Sequence, residues 1–144
     1  GEAFRQSPKI FEEAKLRLQA HIDHFGFLAS REDYLDLLDR CHMIVSTAQH
    51  EFFGISVMEA VHHGAKPILP KRLAYPENFP DEYLYDEDSD LYPRLKDLCQ
   101  RWRSGEMDLR KKRDSLTSVF SPKAMIPRYQ RIFADCMARR PGLV

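Results

Sequence analysis

The residues best equipped for chemistry are two glutamates, Glu51 and Glu59, eight positions apart on either side of Gly54. The chain around them passes from a short apolar run, His42-Met43-Ile44-Val45-Ser46, through a polar turn into a helical pattern that begins near Ile55. A helix start leaves backbone amides without partners and carries the positive end of the helix dipole, so it favours an anion such as a diphosphate. Gly54 lets the backbone approach a ligand closely. Glu51 ahead of the helix and Glu59 in its second turn put two carboxylates near one helix start. Carboxylates there can accept hydrogen bonds from vicinal hydroxyls, such as those of a ribose or a sugar. The same residue types also serve structure: an acidic residue before a helix complements its dipole, and Glu59 can be merely solvated. On spacing alone both readings stand.

Such a loop needs a strand before it and a sheet behind it. Ser7-Pro8, with Ile10, Phe11, Ala14, Leu16 and Leu18, reads as a helix with Ser7 as N-cap and Pro8 at the first helical position. Residues 22–25 read as a strand ended by Gly26, and Ser30-Arg31-Glu32-Asp33 as a capping box opening a helix with Tyr34, Leu35, Leu37 and Leu38. The apolar run 42–46 reads as a buried strand, 55–63 as a helix stopped by Gly64, 66–70 as a strand, 73–79 as a loop and 83–85 as a last short strand. Helical patterns follow at 89–102, 106–116 and 122–139, with Phe120, Tyr129 and Phe133 as a core stripe. This alternation predicts an α/β domain in which 22–25, 43–46 and 66–69 are adjacent parallel strands. Ligands of such sheets sit beyond the carboxyl ends of the strands, where the loop 46–54 lies. The chain reads as one domain, with an α/β core over about residues 1–85 and a helical part over about 86–140.

The segment resembles the E-x7-E motif of retaining glycosyltransferases of the GT-B fold, especially glycosyltransferase family 4. Glu51 and Glu59 hold its two acidic positions and Phe53-Gly54 its usual Phe-Gly. His24-Phe25-Gly26-Phe27-Leu28 is similar to that family's element beside the nucleotide base, and Gly64-Ala65-Lys66-Pro67-Ile68 to its Gly-x-Pro element. Within the family, His50-Glu51-Phe52-Phe53-Gly54, Met58-Glu59-Ala60-Val61, Pro70-Lys71, Tyr75-Pro76-Glu77-Asn78-Phe79-Pro80 and Glu82-Tyr83-Leu84-Tyr85 resemble the tRNA-queuosine mannosyltransferases. The resemblance implies a Rossmann-like parallel sheet flanked by helices, the C-terminal, donor-binding half of a GT-B enzyme. It implies GDP-mannose as donor, queuosine-modified tRNA as acceptor, and retention of configuration without a covalent nucleophile, metal or cofactor. It assigns Glu59 to the donor ribose, and Glu51 with the Phe53-Gly54 backbone to the hydroxyls of the transferred sugar. His50 falls at the sugar pocket, the Ile55 amide at the diphosphate, and Phe27 and Leu28 beside the base. Two departures matter. Tyr75-Pro76-Glu77 takes the place of a glycine-containing donor loop but lacks the glycines. The family's N-terminal acceptor domain and the first strand-turn-helix of the donor domain, a source of basic phosphate contacts, have no counterpart. The chain is therefore expected to be N-terminally incomplete and inactive alone, with Lys71 or Arg72 substituting as a phosphate contact.

Bulk properties restrict the alternatives. Twenty-two Lys plus Arg balance 22 Asp plus Glu, so the chain lacks the overall basic excess of a dedicated nucleic-acid grip. A local patch survives in Arg101, Trp102, Arg103, Arg110, Lys111, Lys112 and Arg113, which suits either an RNA backbone or a solvated face. No apolar run approaches the roughly 18 residues of a spanning helix. Three cysteines far apart argue against a disulfide framework, and a cytoplasmic setting is expected. His21-x-x-His24 and His62-His63 lack further ligands at metal-binding spacing, so no metal is expected. The competing functions are a related transferase with another nucleotide-sugar or a lipid or polysaccharide acceptor, and a non-catalytic interaction domain of the same fold.

Overall fold

The computed structural model describes residues 8–139. The chain divides into two compact units, residues 1–37 and 38–144. In the first, α1 (Lys9–Arg17) begins after Pro8, and a short 3-10 turn (Gln19–His21) follows it. Pro8, expected at the first helical position, is instead the N-cap, the place expected for Ser7, which lies outside the described residues. Helix α2 (Arg31–Arg40) spans the boundary between the units, and the Asp33 amide donates to Ser30 Oγ at 3.2 Å, as the capping pattern requires.

The expected strand 22–25 does not form. Its apolar residues, Ile22 and Phe25, are three apart rather than two, with Asp23 and His24 exposed between them. The segment closes locally instead: His24 Nε2 lies 3.2 Å from the Gly26 carbonyl, and the Lys15 ammonium sits 5.1 Å from the Phe25 ring centre.

The second unit holds a parallel sheet in the order β1 (Met43–Val45), β2 (Lys66–Pro70), β3 (Leu84–Tyr85). Thus two of the three expected strands are adjacent and parallel, and the third place belongs to Leu84–Tyr85. Alternation along each strand sends side chains to opposite faces. Ile44, Leu69 and Leu84 pack with Val57, Met58 and Val61 of α3 (Ile55–His62), and with Tyr75 and Phe79 at the ends of the short helix α4 (Tyr75–Asn78). Met43, Ile68 and Tyr85 face the other way, against Leu91, Leu95 and Leu98 of α5 (Leu91–Arg103) and against Leu109.

Prolines set the length of the ladder. The Lys66 amide donates to the His42 carbonyl on the β1 side, and the Lys71 amide to the Tyr85 carbonyl on the β3 side. By alternation Pro67 turns its donorless nitrogen toward β3 before β3 begins opposite Leu69, and Pro70 turns its own toward β1 after β1 ends opposite Ile68. Two buried prolines therefore sit in a central strand without breaking a bond that its neighbours could make.

The expected helix 106–116 is also corrected. Only Asp114–Thr117 is helical (α6), and residues 107–113 run irregularly. Leu109 is driven into the core, and the Lys111 amide donates to the Gly64 carbonyl at 3.1 Å, which holds the segment against the end of α3. The last helix, α7, runs Pro122–Ala138, capped by Ser121. Phe120 packs on the core, but Tyr129 and Phe133, expected in a core stripe, are 52% and 63% exposed.

Ile68 is fully buried between β1 and α5, and Ile68→Ala should destabilise the chain by about 2–5 kcal/mol. Urea unfolding followed by circular dichroism should show the lowered midpoint without a large change in slope.

Candidate functional site

The loop 46–54 leaves the carboxyl end of β1 and enters α3, as an α/β ligand loop does. Its first residue is fastened to both sides of the sheet. Ser46 Oγ lies 2.8 Å from the Tyr75 hydroxyl and accepts the Ala48 amide at 3.2 Å, while the Tyr85 hydroxyl donates to the Ser46 carbonyl at 2.8 Å. Arg72, just past β2, donates from Nε to the Ala48 carbonyl and from Nη1 to Asp88 at 2.9 Å.

The far end of the loop is organised by Glu51. Its Oε1 accepts the amides of Phe52, Phe53 and Gly54 at 3.0, 3.2 and 2.8 Å. Among the described residues Oε2 has no hydrogen-bond partner. One oxygen thus shapes the turn and the other remains an open acceptor. Gly54, the N-cap of α3, has φ +85°, a left-handed conformation that glycine adopts without strain. A Cβ at that position would also meet Tyr75 Cε1 at 3.1 Å. A glycine cap supplies no side-chain acceptor, so the first-turn amides of α3 look for one elsewhere. Asn78 Nδ2 donates to the Phe53 carbonyl at 3.2 Å, and the Phe53 ring meets Phe120 edge-on at 5.0 Å.

The structure thus joins Glu51, Phe53, Gly54 and Ile55 at one helix start, with Ile55 65% exposed. Glu59 is half-buried, one turn beyond Ile55 and on its side of α3. His50 is exposed beside Glu51. Lys71 is engaged elsewhere, with Nζ 3.2 Å from Asp81 and 4.0 Å from Asp86. Arg72 is the cation that reaches the loop. Phe27, exposed, and half-buried Leu28 belong to the first unit. Among the described residues no group of three or more His, Cys, Asp or Glu could hold a metal, and no helix is long and apolar enough to cross a membrane.

Ser46, Tyr75, Tyr85 and Asn78 were not singled out by composition or spacing as parts of this site. The one signal for Ser46 is a hydroxyl residue closing an apolar strand. For the tyrosines it is their position at the carboxyl ends of strands, Tyr75 opening the short helix that follows β2 and Tyr85 closing β3.

No family model and no solved structure matches the chain. Among curated proteins it is similar to the tRNA-queuosine alpha-mannosyltransferase of Drosophila melanogaster, 37% identical over 138 residues. The alignment covers 92% of this chain and 35% of that relative, so the chain spans about a third of the relative's length. At 92% coverage of this chain the similarity includes the loop 46–54.

Burial pushes the Tyr75 hydroxyl above the usual phenol range, an effect eased by its hydrogen bond to Ser46 and reinforced by the Glu51 charge. Burial does the same for Tyr85, with Arg72 opposing. Both folded values exceed the unfolded one, so their contribution to stability is whole below about pH 10 and is lost as pH rises through the folded values. A phenolate absorbance titration should show two of the six tyrosines ionising late. In Tyr85→Phe one late tyrosine should vanish and the alkaline loss of thermal stability should become shallower.

Proposed function

We propose that the chain is the donor-binding part of a retaining glycosyltransferase that moves mannose from GDP-mannose to queuosine-modified tRNA. The observation that carries this reading is Glu51 bound through one oxygen to the Phe52–Gly54 amides, with its other oxygen open beside an uncapped helix start. The similarity to a tRNA-queuosine alpha-mannosyltransferase supports the choice of sugar and acceptor.

The donor diphosphate would lie against the first-turn amides of α3 at Ile55, where fixed dipoles stabilise the charge that builds as the sugar departs. Glu51 Oε2 and the Phe53-Gly54 backbone would hold hydroxyls of the mannose, with His50 at the same pocket. Glu59 would accept from the ribose. Phe27 and Leu28 would flank the base. Lys71 would contribute as a phosphate contact only by leaving Asp81 and Asp86, so Arg72 is the better placed of the two. The roles need no covalent nucleophile, metal or cofactor. The acceptor would be held by other parts of a longer enzyme, and the chain alone would bind donor without transferring it.

Calorimetric titration of the chain should show binding of GDP-mannose and GDP, with UDP-sugars about tenfold weaker or worse. Glu59→Ala should weaken GDP-mannose binding about tenfold to a hundredfold, since a hydrogen bond to a charged group is worth about 1.5–3 kcal/mol. In an enzyme that includes the acceptor-binding part, Glu51→Ala should instead lower kcat. The ribose is unchanged by the reaction, whereas the sugar gains positive character as its bond to diphosphate breaks. A chain that binds no nucleotide-sugar would overturn the donor reading and favour an interaction domain of the same fold.

A further inference from the structure

The end of α3 away from Glu51 carries a second feature. His62, His63, Gly64, Arg110, Lys111, Lys112 and Asp39 line an open hollow of about 380 Å³. It contains no large apolar side chain, so nothing in it suits an acyl chain or an inserted hydrophobic anchor. Its charge is concentrated, because Arg110-Lys111-Lys112-Arg113 are four consecutive cations in a chain of zero net charge.

The four cations divide by what they touch. Arg110 Nη2 donates to the His63 carbonyl at 3.0 Å and lies 3.4 Å from Asp39 Oδ1, an oxygen that is also 2.8 Å from His63 Nδ1. Arg113 donates to the carbonyls of Gly64, Lys111 and Leu109. These two arginines satisfy the carbonyls at the end of α3 and are structural. Lys111 and Lys112 are exposed and make no ion pair among the described residues. The one carboxylate of the hollow, Asp39, is already shared by His63 and Arg110.

The lysines are also held in place. Leu109 is buried just before them, and the Lys111 amide donates to the Gly64 carbonyl. A backbone fixed at both sides displays their ammonium groups with less ordering cost on binding than a mobile tail would incur. Lys66, at the start of β2, is shifted toward neutrality by its burial first and then by Arg113, with Glu82 opposing and Arg94 and Arg101 adding to the effect.

We infer that this hollow is a docking site for the phosphate backbone of RNA, with Lys111 and Lys112 as its phosphate contacts. The assignment rests on the proposed tRNA acceptor and adds where this chain would touch it. The hollow and the candidate donor site lie at opposite ends of α3, about 12 Å apart along the helix axis. One RNA stem spans that distance. Its backbone would rest on the lysines at the amino end of the sheet, while a nucleotide reaches the carboxyl end.

The test is fluorescence polarisation of a labelled tRNA transcript with the chain across a range of salt concentrations. Lys111→Gln combined with Lys112→Gln should weaken binding by about tenfold or more. It should lower the slope of log affinity against log salt by about 2, one counterion set per phosphate contact. Lys96→Gln combined with Lys123→Gln, two exposed lysines on α5 and α7, should leave both quantities unchanged. GDP-mannose titration of the Lys111/Lys112 variant should match the parent chain. Equal loss in the control variant, no loss in the Lys111/Lys112 variant, or polyglutamate held as tightly as tRNA would each overturn the assignment. A parent chain that binds GDP-mannose but no tRNA would overturn it while leaving the donor reading intact. A chain that binds tRNA through these lysines but no nucleotide-sugar would do the reverse.

Discussion

Two tyrosine hydroxyls that converge on Ser46 hold the site together. Tyr75 belongs to the core beneath α3, and Tyr85 to the core on the opposite face of the sheet. One meets the serine side chain and the other its carbonyl. A buried phenol left without a partner costs about 1–3 kcal/mol, so neither ring packs well unless Ser46 is in place. The loop that begins there is consequently fixed by both cores at once. Its geometry is a property of the whole unit rather than of nine residues in isolation.

Helix α3 translates that fixed point into an asymmetric element. Just past its carboxyl end the His63 and Gly64 carbonyls are taken by Arg110, Arg113 and the Lys111 amide. Its amino end begins on a glycine with no side-chain cap, and the nearest carboxylate spends one oxygen on the turn before it. Stability is therefore concentrated at one end of the helix, and hydrogen-bonding capacity at the other. Binding residues on such an element can be altered with less damage than the arginines that secure it.

Much of this was legible in the sequence where local chemistry and packing agree. The strands at 43–45 and 66–70, the helix from Ile55, the stop at Gly64 and the Ser30 cap all have local signals that tertiary contacts reinforce. The parallel α/β arrangement followed from their order. The misses share a cause. Residues 22–25 carry apolar residues without strand periodicity and have no partner strand among the described residues. Residues 107–113 carry a helical composition, yet Leu109 and the carbonyls of α3 draw them into an irregular path. Tyr129 and Phe133 have core-like identities on a helix whose neighbours leave them exposed. At the site, Glu51, Phe53 and Gly54 were visible as a cluster. The division of labour between the two oxygens of Glu51 was not, because it depends on how the turn folds back. Lys71 and Arg72 were not told apart, because acidic neighbours ten and more residues along the chain cannot be weighed from spacing.

The two prolines of β2 act as end stops. A slide of the strand by two residues keeps every side chain on its proper face, so hydrophobic patterning alone does not forbid it. Slid one way, Pro70 would take the place of Ile68, whose nitrogen faces β1. Slid the other way, Pro67 would take the place of Leu69, whose nitrogen faces β3. Either error leaves a carbonyl in the middle of a buried sheet without its donor. Mis-threaded versions of the sheet are therefore penalised in both directions, and the correct alignment is chosen by what the prolines cannot do.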